Sequence, residues 1–175
     1  MHFYYESPIG RIFLAASELG LQTLIFVDGE EETLHKKLFT GMSSQAEFSK
    51  GMSSQSNFQD KIAPLVIDQL DEYFSGNGKS FDIPLDLQGT EFQKRVWAEL
   101  LKIPFGKTIS YKELAIRLGD VKCIRAAGTA NGANPVSIIV PCHRVIGSDG
   151  SLIGYGGGLW RKRWLLDFER KDTLF

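Results

Sequence analysis

The sequence predicts an α/β (α+β) protein in two parts: a β-meander with helices over residues 1–88, then a mostly helical part over residues 89–175. Three observations carry that prediction. Turn residues punctuate residues 3–27 at short spacing, which implies consecutive antiparallel strands. From residue 90 the pattern changes to helix caps and helical periodicity. The charge changes at the same place. Residues 1–88 carry 6 Lys/Arg against 13 Asp/Glu, and residues 89–175 carry 14 against 8, so a net charge of −1 conceals an acidic part and a basic one. A basic half suits contact with a polyanion, although a solvated basic face has the same composition.

Apolar stretches at residues 3–5, 12–16 and 21–27 are separated by Pro8-Ile9-Gly10 and Glu18-Leu19-Gly20, and predict three strands. Residues 31–39 read as a short helix. Gly41-Met42-Ser43-Ser44-Gln45 then recurs as Gly51-Met52-Ser53-Ser54-Gln55, a Ser-rich decamer in tandem. Two polar copies are too few for a solenoid, so residues 41–60 read as a flexible surface loop without a catalytic role. Ile62, Leu65, Val66, Leu70, Tyr73 and Phe74 share a helical period, which Gly76 closes. Residues 81–87, with Pro84, read as an extended connector.

In the second part Thr90 can cap a helix running to about residue 103, with Phe92, Val96, Trp97, Leu100 and Leu101 on its apolar side. Pro104-Phe105-Gly106 stops it. Ser110-Tyr111-Lys112-Glu113 matches a capping box, so a helix starts at Tyr111, and Gly119 fits its C-terminal cap. Another helix follows over about 122–131, and the pair forms a helix-turn-helix pattern. Its second helix reads Arg125-Ala126-Ala127-Gly128-Thr129-Ala130. Side chains that small let a backbone approach a DNA groove or another helix, and composition does not choose between them. A basic helix over 159–170 ends the chain's regular structure.

The chemistry concentrates at Ser137-Ile138-Ile139-Val140-Pro141-Cys142-His143-Arg144-Val145. Apolar residues lead the chain into the core, and a thiol and an imidazole follow at once. A structural cysteine needs no polar neighbours, whereas an adjacent imidazole or cation lowers a thiol pKa and activates it. Adjacency alone leaves both readings open. A third group should orient the histidine. Glu169 is a candidate, though nothing local singles it out from 21 acids. Cys123 lacks a neighbouring histidine and reads as structural. Gly154-Tyr155-Gly156-Gly157-Gly158 lacks the Gly-Lys-Ser/Thr ending of a phosphate-binding loop and reads as a tight loop lining a pocket. Two cysteines do not make a secreted disulfide scaffold, no apolar run reaches membrane-spanning length, and the first residues do not form a leader, so the expected location is the cytoplasm.

Taken together these elements resemble the O6-alkylguanine-DNA alkyltransferases, also called methylated-DNA–protein-cysteine methyltransferases. The resemblance rests on Pro141-Cys142-His143-Arg144-Val145, preceded by Asn131-Gly132-Ala133-Asn134-Pro135-Val136. It is extended by Phe105-Gly106, Ser110-Tyr111, Arg125-Ala126-Ala127-Gly128, the glycine-rich loop, and Trp164-Leu165-Leu166 with Glu169, in order from about Thr90 to Arg170. Residues 1–88 match loosely, through Ser7-Pro8-Ile9-Gly10 and Leu14-Ala15.

The resemblance implies a ribonuclease-H-like first domain (1–88) and a winged helix-turn-helix-like second domain (89–175) that carries the active site. It implies Cys142 as alkyl acceptor and His143 as its base through water, oriented by Glu169, with Asn134 bracing the turn. It implies Tyr111 as donor to the departing guanine and Arg125 as the residue that fills the gap left by a flipped nucleotide, on a DNA-binding helix with Ala126, Ala127 and Gly128. Val145, Tyr155, Gly156 and Gly157 would line the guanine pocket. The partner implied is double-stranded DNA containing O6-alkylguanine, met by a monomer without a membrane, cofactor or metal. Some relatives bind zinc through the first half, but that half here has no cysteine. A rival reading is a non-catalytic alkyl-lesion-binding protein. Such proteins replace the reactive cysteine, and Cys142 is present. A Cys-His hydrolase would leave the helix-turn-helix unexplained.

Overall fold

A computed structural model describes residues 2–29 and 58–171. The helix expected at 31–39 and the duplicated segment up to residue 57 lie outside the described residues. Strands β1 (His2–Ser7), β2 (Gly10–Ala16) and β3 (Leu21–Phe26) form an antiparallel sheet in the order β1-β2-β3. The first hairpin closes with Ser7 opposite Gly10. Gly10 adopts φ +113°, which a side chain would resist. Helix α1 (Phe58–Phe74) begins before the apolar period does, so the end of the second decamer copy is helical and Pro64 lies inside the helix. Its buried side is Ile62, Val66, Leu70 and Tyr73, and Leu65, expected there, faces outward. Tyr5 fixes α1 to β1 through a 2.7 Å hydrogen bond to Asp71 and a stacked contact with Phe74.

The free edge of β3 is where the two parts join. The connector runs extended beside it. Leu21 N–H donates to the Pro84 carbonyl at 2.8 Å, and Asp86 N–H returns to the Leu21 carbonyl at 3.0 Å. Further along, Leu24 N–H donates to the Pro135 carbonyl at 2.8 Å and Ser137 N–H to the Leu24 carbonyl at 2.7 Å. The segment leading to Cys142 is therefore pinned to the sheet as a short parallel bridge.

In the second part, α2 (Glu91–Leu100) carries a complete capping box between Thr90 and Gln93. Helix α3 (Tyr111–Arg117) is capped by Ser110, whose hydroxyl accepts from Glu113 N–H at 3.0 Å. The reciprocal half of that box is replaced, because the Glu113 carboxylate pairs with Arg117 one turn on, at 2.6 Å. Gly119 follows at φ +95°. A 3-10 turn (Val121–Cys123) leads into α4 (Ile124–Gly132), and α5 (Leu159–Lys171) closes the fold. A two-residue parallel ladder joins β4 (Ile109–Ser110) to β5 (Val145–Ile146). Among the described residues no helix is long and apolar enough to cross a membrane.

Trp97 holds this half together. It is fully buried, its indole N–H donates to the Ala130 carbonyl of α4 at 2.9 Å, and its ring packs directly on Gly89. Trp97→Ala would remove the ring and leave a buried carbonyl unpaired. Denaturant unfolding should show a loss of about 3–5 kcal/mol, and a loss below about 1 kcal/mol would contradict the packing described.

Candidate active site

The chain reaches Cys142 through a turn that its own sequence strains. Ile138, a β-branched residue, sits at φ +69°, a conformation that costs about 1–3 kcal/mol. Asn134 holds the turn in place. Its side-chain carbonyl accepts from Val136 N–H at 3.0 Å and its amide donates to the Val140 carbonyl at 2.7 Å. Pro141 then gives way to a 3-10 turn, Cys142–Arg144, whose three side chains are all buried.

Glu169, from the last full turn of α5, meets this 3-10 turn in the core. Its Oε1 accepts from His143 Nε2 at 2.8 Å, from Arg144 Nη2 at 2.9 Å and from the Tyr73 hydroxyl at 2.9 Å. Its Oε2 accepts from Arg144 Nε at 2.9 Å and from Gly106 N–H at 3.1 Å. Arg144 Nη1 also donates to the Ile103 carbonyl at 2.6 Å. Burial alone would raise the Glu169 pKa, but the hydrogen bonds and charges of His143 and Arg144 outweigh it and hold the carboxyl well below the usual range. Burial also pushes His143 below the ordinary histidine range, against the opposing pull of Glu169. The imidazole is thus neutral, with its proton on Nε2 facing the carboxylate. Nδ1, buried and without a partner among the described residues, is the nitrogen free to accept a proton.

Cys142 is only 5% exposed. Burial raises its pKa, while the Asn134 side chain, the charge of Lys162 and the backbone N–H groups of Cys142 and His143 oppose the rise. Lys162 is the unforeseen member. It is completely buried and faces carbonyls rather than a carboxylate: Ile153 at 2.8 Å and Gly154 at 3.2 Å. Burial lowers its pKa to about 8. The Ile153 carbonyl is shared, because the Tyr111 hydroxyl donates to it at 2.9 Å. Burial, then the neighbouring Cys142, raises the Tyr111 pKa.

Tyr111, Ile124, Gly128, Asn131, Ile153 and Tyr155 help to line a cavity of about 520 Å³ beside these groups, within the size range of small-molecule sites. Asn131 links it to the thiol's own residue by donating to the Cys142 carbonyl at 3.4 Å. Of the residues expected at a base pocket, Tyr155 lines this cavity. Val145, Gly156 and Gly157 do not. Val145 is buried in β5, and Gly157 packs on Phe26, which a Cβ would approach to 2.7 Å. Gly128, expected on the DNA side, lines the cavity, which therefore opens beside α4.

Helix α4 uses its small residues on two sides. Ala127 and Ala130 are buried, packing the helix inward, while Arg125, Ala126 and Thr129 are exposed. The packing reading of its composition holds at Ala127 and Ala130, and Ala126 and Thr129 leave a small-residue face exposed. The structure thus brings Cys142, His143, Asn134, Glu169 and Tyr111 into one site and puts Arg125 on the outer surface nearby. Three contributors were not anticipated. Tyr73 looked like an ordinary core residue at helical spacing, Lys162 carried no signal, and Asn131 stood in a family motif without a role of its own. Arg144 did carry one, since a cation beside a buried thiol demands a partner.

Two family models match the chain: the ribonuclease-like domain of 6-O-methylguanine DNA methyltransferase over residues 1–87, and its DNA-binding domain over residues 91–171. A methylated-DNA–protein-cysteine methyltransferase of Methanosarcina barkeri is 43% identical over 167 residues, covering 95% of each chain. The Mycobacterium leprae protein of that name is 44% identical over 169 residues, covering 97% of this chain and 92% of its own. Among solved structures, the Mycobacterium tuberculosis protein in complex with DNA superposes with a TM-score of 0.75 at 41% identity, covering 97% of this chain and 92% of that one. With identity at this level over nearly its whole length, the chain belongs to the methylated-DNA–protein-cysteine methyltransferase family.

Proposed function

We propose that this protein repairs alkylated DNA by transferring the alkyl group from O6 of guanine to the sulfur of its own Cys142. The observation that carries the reading is a buried thiol followed in the chain by a buried imidazole whose Nε2 is held by Glu169 and whose Nδ1 has no partner among the described residues. The reaction is an in-line displacement at carbon. The thiol proton passes through a water molecule to His143 Nδ1, which has no protein partner among the described residues. The sulfur–carbon bond forms as the carbon–O6 bond breaks, and the electron pair left on guanine takes a proton from Tyr111. Solvent closes the balance by carrying the proton on His143 back to the tyrosine. When Tyr111 turns toward the base, Lys162 still donates to the Ile153 carbonyl, so that acceptor keeps a partner. The Lys162 charge favours both the thiolate and the developing charge on the base. A thioether is a stable product, so each molecule reacts once.

A base inside a duplex cannot reach this site and must be flipped out, at a cost of a few kcal/mol. The exposed Arg125 and the small outer residues of α4, in the basic half of the chain, suit insertion and close approach to DNA. Two free cysteines fit a reducing compartment, and we place the protein in the cytoplasm.

Incubation with an oligonucleotide containing O6-methylguanine should add one methyl group to the intact mass, mapped to Cys142 and abolished in Cys142→Ser. Unmodified protein, or methyl on Cys123, overturns the reading. Arg125→Ala should slow reaction on duplex DNA about tenfold more than reaction with free O6-benzylguanine, because the free base needs no flipping; equal losses would remove Arg125 from that role. The rate should also trace a bell with pH. It rises below neutrality as His143 loses its proton, which burial places under its ordinary value, and falls as Lys162 titrates near about 8. Lys162→Gln should be slower at neutral pH and lack the falling limb. A variant that keeps that limb would show that another group produces it.

A further inference from the structure

One side chain ties the cavity loop to the opposite half of the molecule. Arg161 is buried at the start of α5, and its guanidinium reaches across the junction between the two parts. Nε donates to the Ile9 carbonyl of the β1–β2 turn at 2.7 Å. Nη1 and Nη2 form a fork on the two oxygens of Asp28, just past β3, at 2.7 and 2.6 Å. Nη1 also donates to the Gly157 carbonyl at 2.9 Å. The guanidinium lies over the rings of Phe26 and Trp160, at 4.6 and 4.4 Å from their centroids. This is the planar, bidentate, stacked use of arginine that lysine cannot copy.

The next residue, Lys162, holds the other end of the same loop through the carbonyls of Ile153 and Gly154. Consecutive residues of α5 therefore fasten residues 153–157 at both ends, and Ile153, Gly154 and Tyr155 of that stretch line the cavity. The Lys162 fastening is internal to the second part. The Arg161 fastening depends on Asp28, whose side chain is 66% exposed and touches neither the thiol network nor the cavity lining.

We infer that Asp28 and Arg161 are positioning residues for the base pocket, so that the acidic first part sets the pocket's shape from outside it. The inference rests on the alkyl-transfer reading for its kinetic consequence but not for its structural one. Asp28 is exposed enough for Asp28→Ala to fold. That variant should raise the half-saturating concentration of O6-benzylguanine about threefold to tenfold, while the pH profile of the saturated rate keeps its shape, because the thiol network is untouched. Asp28→Glu, which retains a forked acceptor, should restore most of the affinity. Amide hydrogen exchange at residues 154–158 should quicken about tenfold in Asp28→Ala. Unchanged exchange overturns the clamp. Faster exchange with unaltered half-saturation overturns its role in the pocket. If the wild-type protein takes no methyl group from an O6-methylguanine oligonucleotide, the alkyl-transfer reading falls, and the exchange measurement still decides the clamp.

Discussion

A single buried carboxylate governs how this molecule is put together. Glu169 could not remain ionised in the core without saturation of its lone pairs. The donors that saturate it come from three places: Tyr73 on α1, Gly106 in the turn after α2, and His143 and Arg144 on the 3-10 turn, all meeting Glu169 on α5. The charge that orients the imidazole therefore also fixes the distance between the two halves and the position of the thiol. Catalytic geometry and structural integrity draw on one network, so damage at any donor disturbs both.

The sheet contributes in a second way. An exposed strand edge invites unwanted pairing. Here part of the β3 edge is covered by the connector and by the segment leading to Cys142. Residues 135–137 hang from the same strand whose end carries the arginine fork, so the strained turn at Ile138 and the cavity loop are referred to one frame. The first part holds none of the reacting groups, yet it constrains both segments that surround them.

Much of this could be read from local chemistry. The Pro8 and Glu18 turns, the Thr90 cap with Gln93, the Ser110 cap and Gly119 are short-range instructions, and the structure obeys them within a residue or two. The Glu113 half of the second box failed because Arg117, one turn away, offered a charged partner instead. Long-range pairings left no such trace. Nothing near Glu169 distinguished it from other acids, and its selection came from resemblance alone. Lys162 sits in a run of cations that reads as a solvated face, and burial of one of them is decided by packing with residues 153 and 154. Tyr73 satisfied a helical period whether or not its hydroxyl had a task. The glycines at 156 and 157 suggested a pocket wall from composition, whereas the close packing of Gly157 on Phe26 is a long-range contact that composition does not show.

The resting state of the sulfur has a consequence for survival. Cys142 is almost wholly enclosed, and burial keeps it predominantly a thiol. Peroxides attack thiolates at accessible sites. A protein with one irreplaceable sulfur gains by hiding it in this form until a partner molecule arrives, because oxidation as far as the sulfinic acid would remove a molecule from service as finally as the reaction it is built for.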